Sequence, residues 1–585
     1  MRSRFLFRRL IPPFLILFLL VPINKSNADS STIGDSGKIW LIPDSGGGLG
    51  DEVYISDNTV FGYQSSQLVR DSFFAGVSTS EDPTCATASD PKCTGVSYQF
   101  TATLKQCQDV SATNCITDFG TVDTNGKKTS AIFQRYFPLK AQNEFVGDAK
   151  LNIPSGGGGS VYQVPSAPFP GGDQYYLEVT VRGHGNGQSQ PTQLNEFSAN
   201  LYPVVQKFVP EINSGWPNAG ISRHDPTSPD GISGNGYIEQ SISGMPGTSC
   251  TILSTTDQTC LERYAFPTNS RFFLTVKLKQ EPAGWMHGRI SNPNISINHD
   301  LDSVLINIQA DPLAVPVVYK DYKWDQMPSD LSSHYNPLTG GYTLESPIGK
   351  DCQSGTAPGG HTACNPDPTK RNVILAPSAY TQSAFEQLLL WLPYVSNRAQ
   401  AMYGDWSVRT LSENESSGAN TCFTQGQGMT GIVTTNSSTY SPGPPFLNKA
   451  TGSLDYKVAA PHYTSTGEVF SGKYDLLMRS DVARCIYGFT KAPISATISV
   501  TSSDGSNTVA STTFSENNGW VHLAANGFTF SSPTISVKLD QAKEVVAPSP
   551  SPTQVASPVV TASAIPVPKP TVVKKTTITC IKGKL

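Results

Sequence analysis

Two distant stretches share an order of residues that decides how the chain is read: Gly284, Trp285, Met286, His287 then Pro293, Asn294, Ile295, Ser296, Ile297, and Gly519, Trp520, Val521, His522 then Pro533, Thr534, Ile535, Ser536, Val537. The parallel continues upstream. Cys260, Tyr264, Ala265, Phe266 and the strand-like run 272–278 precede the first stretch; Cys485, Tyr487, Gly488, Phe489 and the run 494–500 precede the second. From Cys to Gly the spacing is 24 residues in one copy and 34 in the other, a difference that hairpin loops absorb. The pattern predicts two related domains of the antiparallel β-sandwich type.

Working outward, period-two alternation predicts strands at 96–104, 130–137 and 175–181, the last with one wet face. Ser155, Gly156, Gly157, Gly158, Gly159 and Ser160 read as a short linker or loop tip. Ser383, Ala384, Phe385 and Glu386 form a capping-box sequence ahead of Leu388–Leu392, with Pro393 limiting or kinking the continuation, and predict one short helix near 384–392 packed between domains or against a sheet. The expected fold is mainly β, with two or three antiparallel β-sandwich-like domains. Its divisions are a signal peptide at 1–28, an N-terminal β domain at 29–160, repeat copy 1 at 161–320, a connecting region with the helix at 321–400, repeat copy 2 at 401–541, and a disordered Pro-rich stalk and basic tail at 542–585.

Composition agrees. Charged residues are 15% of the 585, against 50 Gly and 44 Pro, which favours many short strands and turns and excludes a coiled coil or a polytopic membrane protein. At the start, Arg2, Arg4, Arg8 and Arg9 precede an apolar run at 10–23 broken by Pro12, Pro13 and Pro22, with Ser26 and Ala28 placed for cleavage. That run is shorter than the roughly 20 residues of a membrane-spanning helix, so export is expected, and a retained anchor or the basic tail is the only membrane contact foreseen. Cleavage would remove five of the 42 basic residues and none of the 46 acidic ones, leaving a negative chain that disfavours nucleic acid as a partner.

Residues 547–570 hold seven prolines among Ser, Thr, Val and Ala, a composition for an extended polyproline II spacer. Lys569, Lys574, Lys575, Lys582 and Lys584 then make a basic end suited to an anionic surface. The segment Lys574, Lys575, Thr576, Thr577, Ile578, Thr579, Cys580, Ile581, Lys582, Gly583, Lys584 resembles the C-terminal segment that comes after Pro-rich linkers in uncharacterised secreted actinobacterial surface proteins. A second Cys is usual there, and none comes after Cys580 here. The resemblance covers the last dozen residues; it implies a Gram-positive envelope protein and no activity.

Ten of eleven cysteines match in order as near pairs: Cys85 with Cys93, Cys107 with Cys115, Cys250 with Cys260, Cys352 with Cys364, and Cys422 with Cys485. The gaps are too wide for CxxC metal or redox motifs, so disulfides are expected, each short loop restricting the unfolded chain by about 2 to 3 kcal/mol. Cys580 is left over, as a free thiol, an intermolecular partner or half of a bridge. Cys422 and Cys485 invite an immunoglobulin comparison, but Trp406 and Trp520 fall outside the pair instead of between its members.

No catalytic constellation emerges, and no cofactor or metal is expected. Gly34, Asp35, Ser36, Gly37 spells the surroundings of the nucleophile in trypsin-like proteases and GDS-type esterases, but the His and Asp that either needs are not placed for it. His299, Asp300 and Asp302 read as a hairpin turn, and Asp230, Asn235 and Glu239 miss the spacing of an EF-hand. Trp285 and Trp520 read as core anchors, with His287 and His522 half exposed on the opposite face. The candidate binding stretch is 319–342, loop-like, with Tyr319, Tyr322, Trp324, Asp325 and Tyr335 available to stack on sugar rings and accept hydroxyl hydrogen bonds; its alternative is a connection packed by its own aromatics. The expected role is structural or adhesive at the cell envelope or surface, non-catalytic, towards a cell-wall polymer or glycan. The alternative is an extracellular carbohydrate-binding or carbohydrate-active protein.

Overall fold

The computed structural model describes residues 51–55, 66–70, 84–90, 93, 97–139, 141, 143–186, 191–208, 250–254, 259–322, 327–335, 382–412, 415–424, 428–490, 494–501, 511–530 and 533–541. These residues are mainly β, with antiparallel pairing predominating and four short α-helices among them. The signal sequence, Ser36, Asp230, Asn235, Glu239, Trp324, Asp325, Cys352, Cys364 and the stalk with Cys580 lie outside the described residues.

Strand Gly284–His299 organises the rest. Its first half pairs with Ser407–Thr410 on one side and, in parallel, with Met429–Thr435 on the other. Its second half leaves that sheet and pairs with Val304–Tyr322. The change falls where the register slips between Ser291 and Asn294. There Asn292 takes a left-handed φ of 50°, and Pro293 lacks the N–H that an unbroken ladder needs. Asp311 fixes the corner, receiving hydrogen bonds from Asn292 Nδ2 and Arg271 Nη1 at 2.7 Å each. Burial reflects the two roles: residues 285–290 are buried without interruption, whereas 291–296 alternate buried and exposed, as expected of a strand covered on both faces and then on one.

The spine sheet runs from Ser511–Asn517 through Trp520–Thr529, Ser471–Arg479, Met429–Thr435, the first half of Gly284–His299, Ser407–Thr410 and Gln193–Phe208 to Gln174–Asn186. Ser97–Thr103 and Gly159–Gln163 succeed one another along its far edge. A second sheet, Cys115–Val122, Phe272–Leu278, Val304–Tyr322 and the second half of Gly284–His299, covers one face of the spine. A third sheet of Thr439–Tyr440, Ser453–Ala459, Thr534–Gln541, Ile494–Thr501 and Phe446–Asn448 covers part of the other. Alternation then assigns neighbours to different cores. Met286, Ile432 and Leu477 enter the first, while Trp285, Val433, Leu476 and Met478 enter the second. Trp285 packs over its cross-strand partner Gly431, where a Cβ would meet the indole at 2.3 Å.

The sandwich reading of the fold class holds, but several particulars differ. The two similar stretches fold alike only in outline, each beginning in the spine and ending in a flanking sheet. The first lies on one strand, whereas the second is divided between Trp520–Thr529 in the spine and Thr534–Gln541 in the third sheet. Trp285 faces the second core and Trp520 packs against the first. Alternating apolar and β-branched residues make strands in both places, and the partner each finds is set by tertiary context. The glycine run is no linker: Gly156–Gly159 are buried, Gly156 bridges to Phe145, and Gly159 opens a strand. A Cβ on Gly159 would strike the Tyr176 ring. Residues 175–181 are buried on both faces, because Tyr176 joins Phe137, Val161, Tyr202, Val204 and Leu261 in a small core on the face expected to be wet.

The helix is present as Gln382–Trp391, with a 3₁₀ turn after it at Leu392–Val395 that Pro393 opens. Ser383 lies inside it and not at its cap. Leu388 and Trp391 bury against Val318, Leu331, Tyr335 and Ala459. A second helix, Ser480–Tyr487, was not foreseen; Gly488 ends it in a left-handed conformation. Disulfides join Cys85 to Cys93, Cys107 to Cys115 and Cys422 to Cys485. Cys260 is also disulfide-bonded, on a strand paired with the one bearing Cys250. The Cys422–Cys485 bridge ties helix Thr421–Thr424 to helix Ser480–Tyr487, unlike the sheet-to-sheet bridge of an immunoglobulin domain.

Two-faced burial has a direct consequence. Leu476→Ala and Leu477→Ala, on opposite faces, should each cost about 2 to 5 kcal/mol, while Thr512→Ala on the exposed edge strand should cost under about 1 kcal/mol. Urea unfolding of the three variants checks this; tolerance of either leucine substitution would mean that its face is open.

Candidate functional site

Of the residues foreseen for binding, Trp324 and Asp325 lie outside the described residues, and only Tyr335 has a described side chain. Tyr319 and Tyr322 belong to strand Val304–Tyr322, opposite Tyr54 and Asp51 of strand Asp51–Ile55. Tyr335 is buried. Its hydroxyl accepts a hydrogen bond from Trp391 Nε1 at 2.6 Å and donates to Gln387 Oε1 at 3.3 Å, so its ring supports the helix and is not available for stacking. Residues 300–303 form the expected turn, with Asp300 N–H donating to Ser303 O, and no group of metal-holding side chains occurs among the described residues.

His287 and His522 also part company. Two residues from Trp285, His287 shares its face, contrary to the opposite-face expectation, and is buried; its ring lies parallel to that of Tyr440 with centroids 3.8 Å apart. Burial pushes the imidazole well below its ordinary pKa, and Arg289 and Arg409 add to the effect. Arg289 donates to Thr435 O and Ser437 O at 2.7 Å each and sits over the same Tyr440 ring. Arg409 is held by Glu415. His522 remains half exposed, its Nε2 2.9 Å from Oδ1 of buried Asp475.

A cleft not recognised in the sequence lies where the second sheet meets the end of the spine. It has a volume of about 600 Å³ and is lined by Glu281, Ile297, His299, Arg479, Asp481 and Trp520, together with Ser480, Arg484, Asn518 and Gly519. The local sequence places its aromatic wall. Asn518 and Gly519 take left-handed φ values of 50° and 79°, the two-residue turn for which Asn-Gly is the strongest hairpin signal, and Trp520 comes next, opposite Asn517. Gly519 O accepts the Ser480 N–H at 2.7 Å, which docks the helix start on the turn.

The charges lining this cleft come in pairs. Arg479 Nε and Nη2 donate to the two oxygens of Asp481 at 3.0 and 2.5 Å. Arg484 Nη1 donates to Glu516 Oε1 at 2.7 Å. His299 Nε2 lies 2.7 Å from Glu281 Oε2, whose other oxygen receives the Met429 N–H at 2.6 Å. Burial raises the Asp481 carboxyl, but the hydrogen bond and charge of Arg479 outweigh it and hold the group below its ordinary value. The hydrogen bond from Arg484 likewise lowers Glu516. The result is an aromatic wall beside donors and acceptors of balanced charge. No protein-family model matches the chain, and no curated protein or solved structure matches it either.

The buried imidazole gives a pH test with a defined sign. His287 stays neutral in the folded chain, whereas the unfolded chain takes up a proton below about pH 6.5. Stability is therefore lost as pH falls below that value, by about 1 kcal/mol between pH 7 and 5.5 from this residue. His287→Gln should remove that component from the difference between urea midpoints at the two pH values; an unchanged difference would mean that His287 is protonated in the fold.

Proposed function

We propose that this chain is a secreted cell-envelope or surface protein with a structural or adhesive role, acting by presentation and not by turnover. The observation that carries the reading is the set of disulfides closed across cysteines near in sequence, Cys85–Cys93 and Cys107–Cys115 above all, because such bridges persist in oxidising surroundings. The signal-like start, the Pro-rich stalk and the resemblance of residues 574–584 to secreted actinobacterial surface proteins support the same location. Among the described residues no helix is long and apolar enough to cross a membrane. The carbohydrate-binding alternative has one specific observation in its favour, the Trp520 cleft.

Fractionation of the producing cell into cytoplasm, membrane, wall and medium should place the protein in the wall or medium. Peptide mapping without reduction should recover the Cys85–Cys93, Cys107–Cys115 and Cys422–Cys485 links. Reduced thiols in protein recovered from the cytoplasm would sink the proposal.

A further inference from the structure

The spine sheet does not end at the cleft wall. The face that carries Trp520 continues across three strands, because cross-strand partners share a face: Asn517, Trp520 and Arg479 form one row, Ser515, His522 and Leu477 the next, and Thr513, Ala524 and Asp475 a third. The core beneath the second sheet reaches only the inner part of this face, where Leu477 is buried and Trp520 is packed against it. The outer part is wet: Thr513, Ser515 and Asn517 are exposed, and Trp520 and His522 are half buried. A cleft with an indole in its wall thus opens onto a shelf of short hydroxyl and amide side chains, Thr513, Ser515 and Asn517, beside the imidazole of His522, which Asp475 holds from within.

We propose that this cleft and shelf bind a neutral, polyhydroxylated polymer, a glycan chain without acidic groups. The inference rests on the envelope reading above and deepens its carbohydrate alternative. Three features select the ligand class. The Trp520 ring offers an apolar face of the kind that packs on the C–H face of a pyranose. Thr513, Ser515 and Asn517 present donors and acceptors that exchange hydrogen bonds with hydroxyls one for one. The third feature is electrostatic: Arg479 is already held by Asp481 and Arg484 by Glu516. A phosphate or uronate would meet guanidiniums whose charge a carboxylate already neutralises, and a cationic ligand would meet carboxylates already bonded. A neutral polyol loses nothing to this pairing, since paired groups still offer lone pairs and N–H bonds at their outer edges. Thr513, Ser515 and Asn517 lie two residues apart along the one strand Ser511–Asn517, about 6.7 Å per step, so an extended chain leaving the cleft along this strand would meet them one after another.

The test is binding of the full exported chain to an array holding neutral and acidic oligosaccharides, with bacterial-wall and animal or plant glycans in separate arms, and then titration of the best ligand at 50 and 500 mM NaCl. Expected are saturable binding to a neutral glycan, affinity that changes less than about twofold with salt because no counterions are released, and a loss of about tenfold or more in Trp520→Ala, with Trp520→Phe retaining most of the affinity. Ser515→Glu, which touches no core, should cause a comparable loss at unchanged melting temperature, so the site stays testable if Trp520→Ala unfolds. Binding confined to acidic polymers with steep salt dependence, no glycan binding, or a Ser515→Glu variant that binds like its parent would each overturn the proposal. Wall-associated protein that binds no neutral glycan overturns the cleft alone and leaves the surface role standing; a cytoplasmic protein overturns the surface role itself.

Discussion

The structure depends on a single strand being shared by two sheets and two cores. Gly284–His299 lies between Ser407–Thr410 and Met429–Thr435 for its first half and beside Val304–Tyr322 for its second. Its side chains therefore answer to different requirements every residue. Met286 and Ile290 enter one core, and Trp285 and His287 face the layer on the other side. Apolar burial at about 25 cal/mol per Å² stabilises both layers, but polar side chains are carried inward with the strand. Arg289 is fully buried, and its two bonds to the carbonyls of Thr435 and Ser437 offset a desolvation cost that would otherwise be severe.

That arrangement places the cleft. Because the second half of the strand turns away at Asn292 and Pro293, its far end, with Ile297 and His299, stands apart from the spine, and the space left between the sheets is closed by helix Ser480–Tyr487 and the Asn518–Gly519 turn. Glu281 links the two sides, receiving the Met429 N–H while lying beside His299. The opening thus results from sheet divergence, and the ion pairs fix its walls.

The sequence disclosed local structure. Period-two alternation located the strands around 97–103 and 132–137, the parallel between the two similar stretches located those at 272–278 and 494–501, and cysteine spacing anticipated the short-range bridges. Leu388–Leu392 announced a buried helix because its apolar run is too continuous for a wet face. Partnership stayed concealed. The likeness of residues 284–297 to 519–537 is real as a string, and each copy passes from the spine into a flanking sheet, but the first does so on one unbroken strand and the second on two, and they join different sheets, since strand propensity does not specify which edge a strand will meet. The buried glycines at 156–159 misled in the same way: their lack of side chains permits close approach as readily as it permits flexibility. Of the cleft, only the Asn518–Gly519 turn had a readable signal; Glu281, Ile297, Arg479 and Trp520 converge from segments about 240 residues apart at the extremes, and no spacing rule connects them.

The Cys422–Cys485 bridge also governs how the chain would respond to being stretched. It spans 63 residues, which at about 3.4 Å each amount to roughly 210 Å of contour length withheld while the bond is intact. The two eight-residue bridges together withhold far less. Under tension between its ends, the oxidised protein is thus shorter-reaching than the same fold reduced, and of the three bridges whose cysteines both lie among the described residues, the one between two short helices is where a change in ambient redox poise acts most on extensibility.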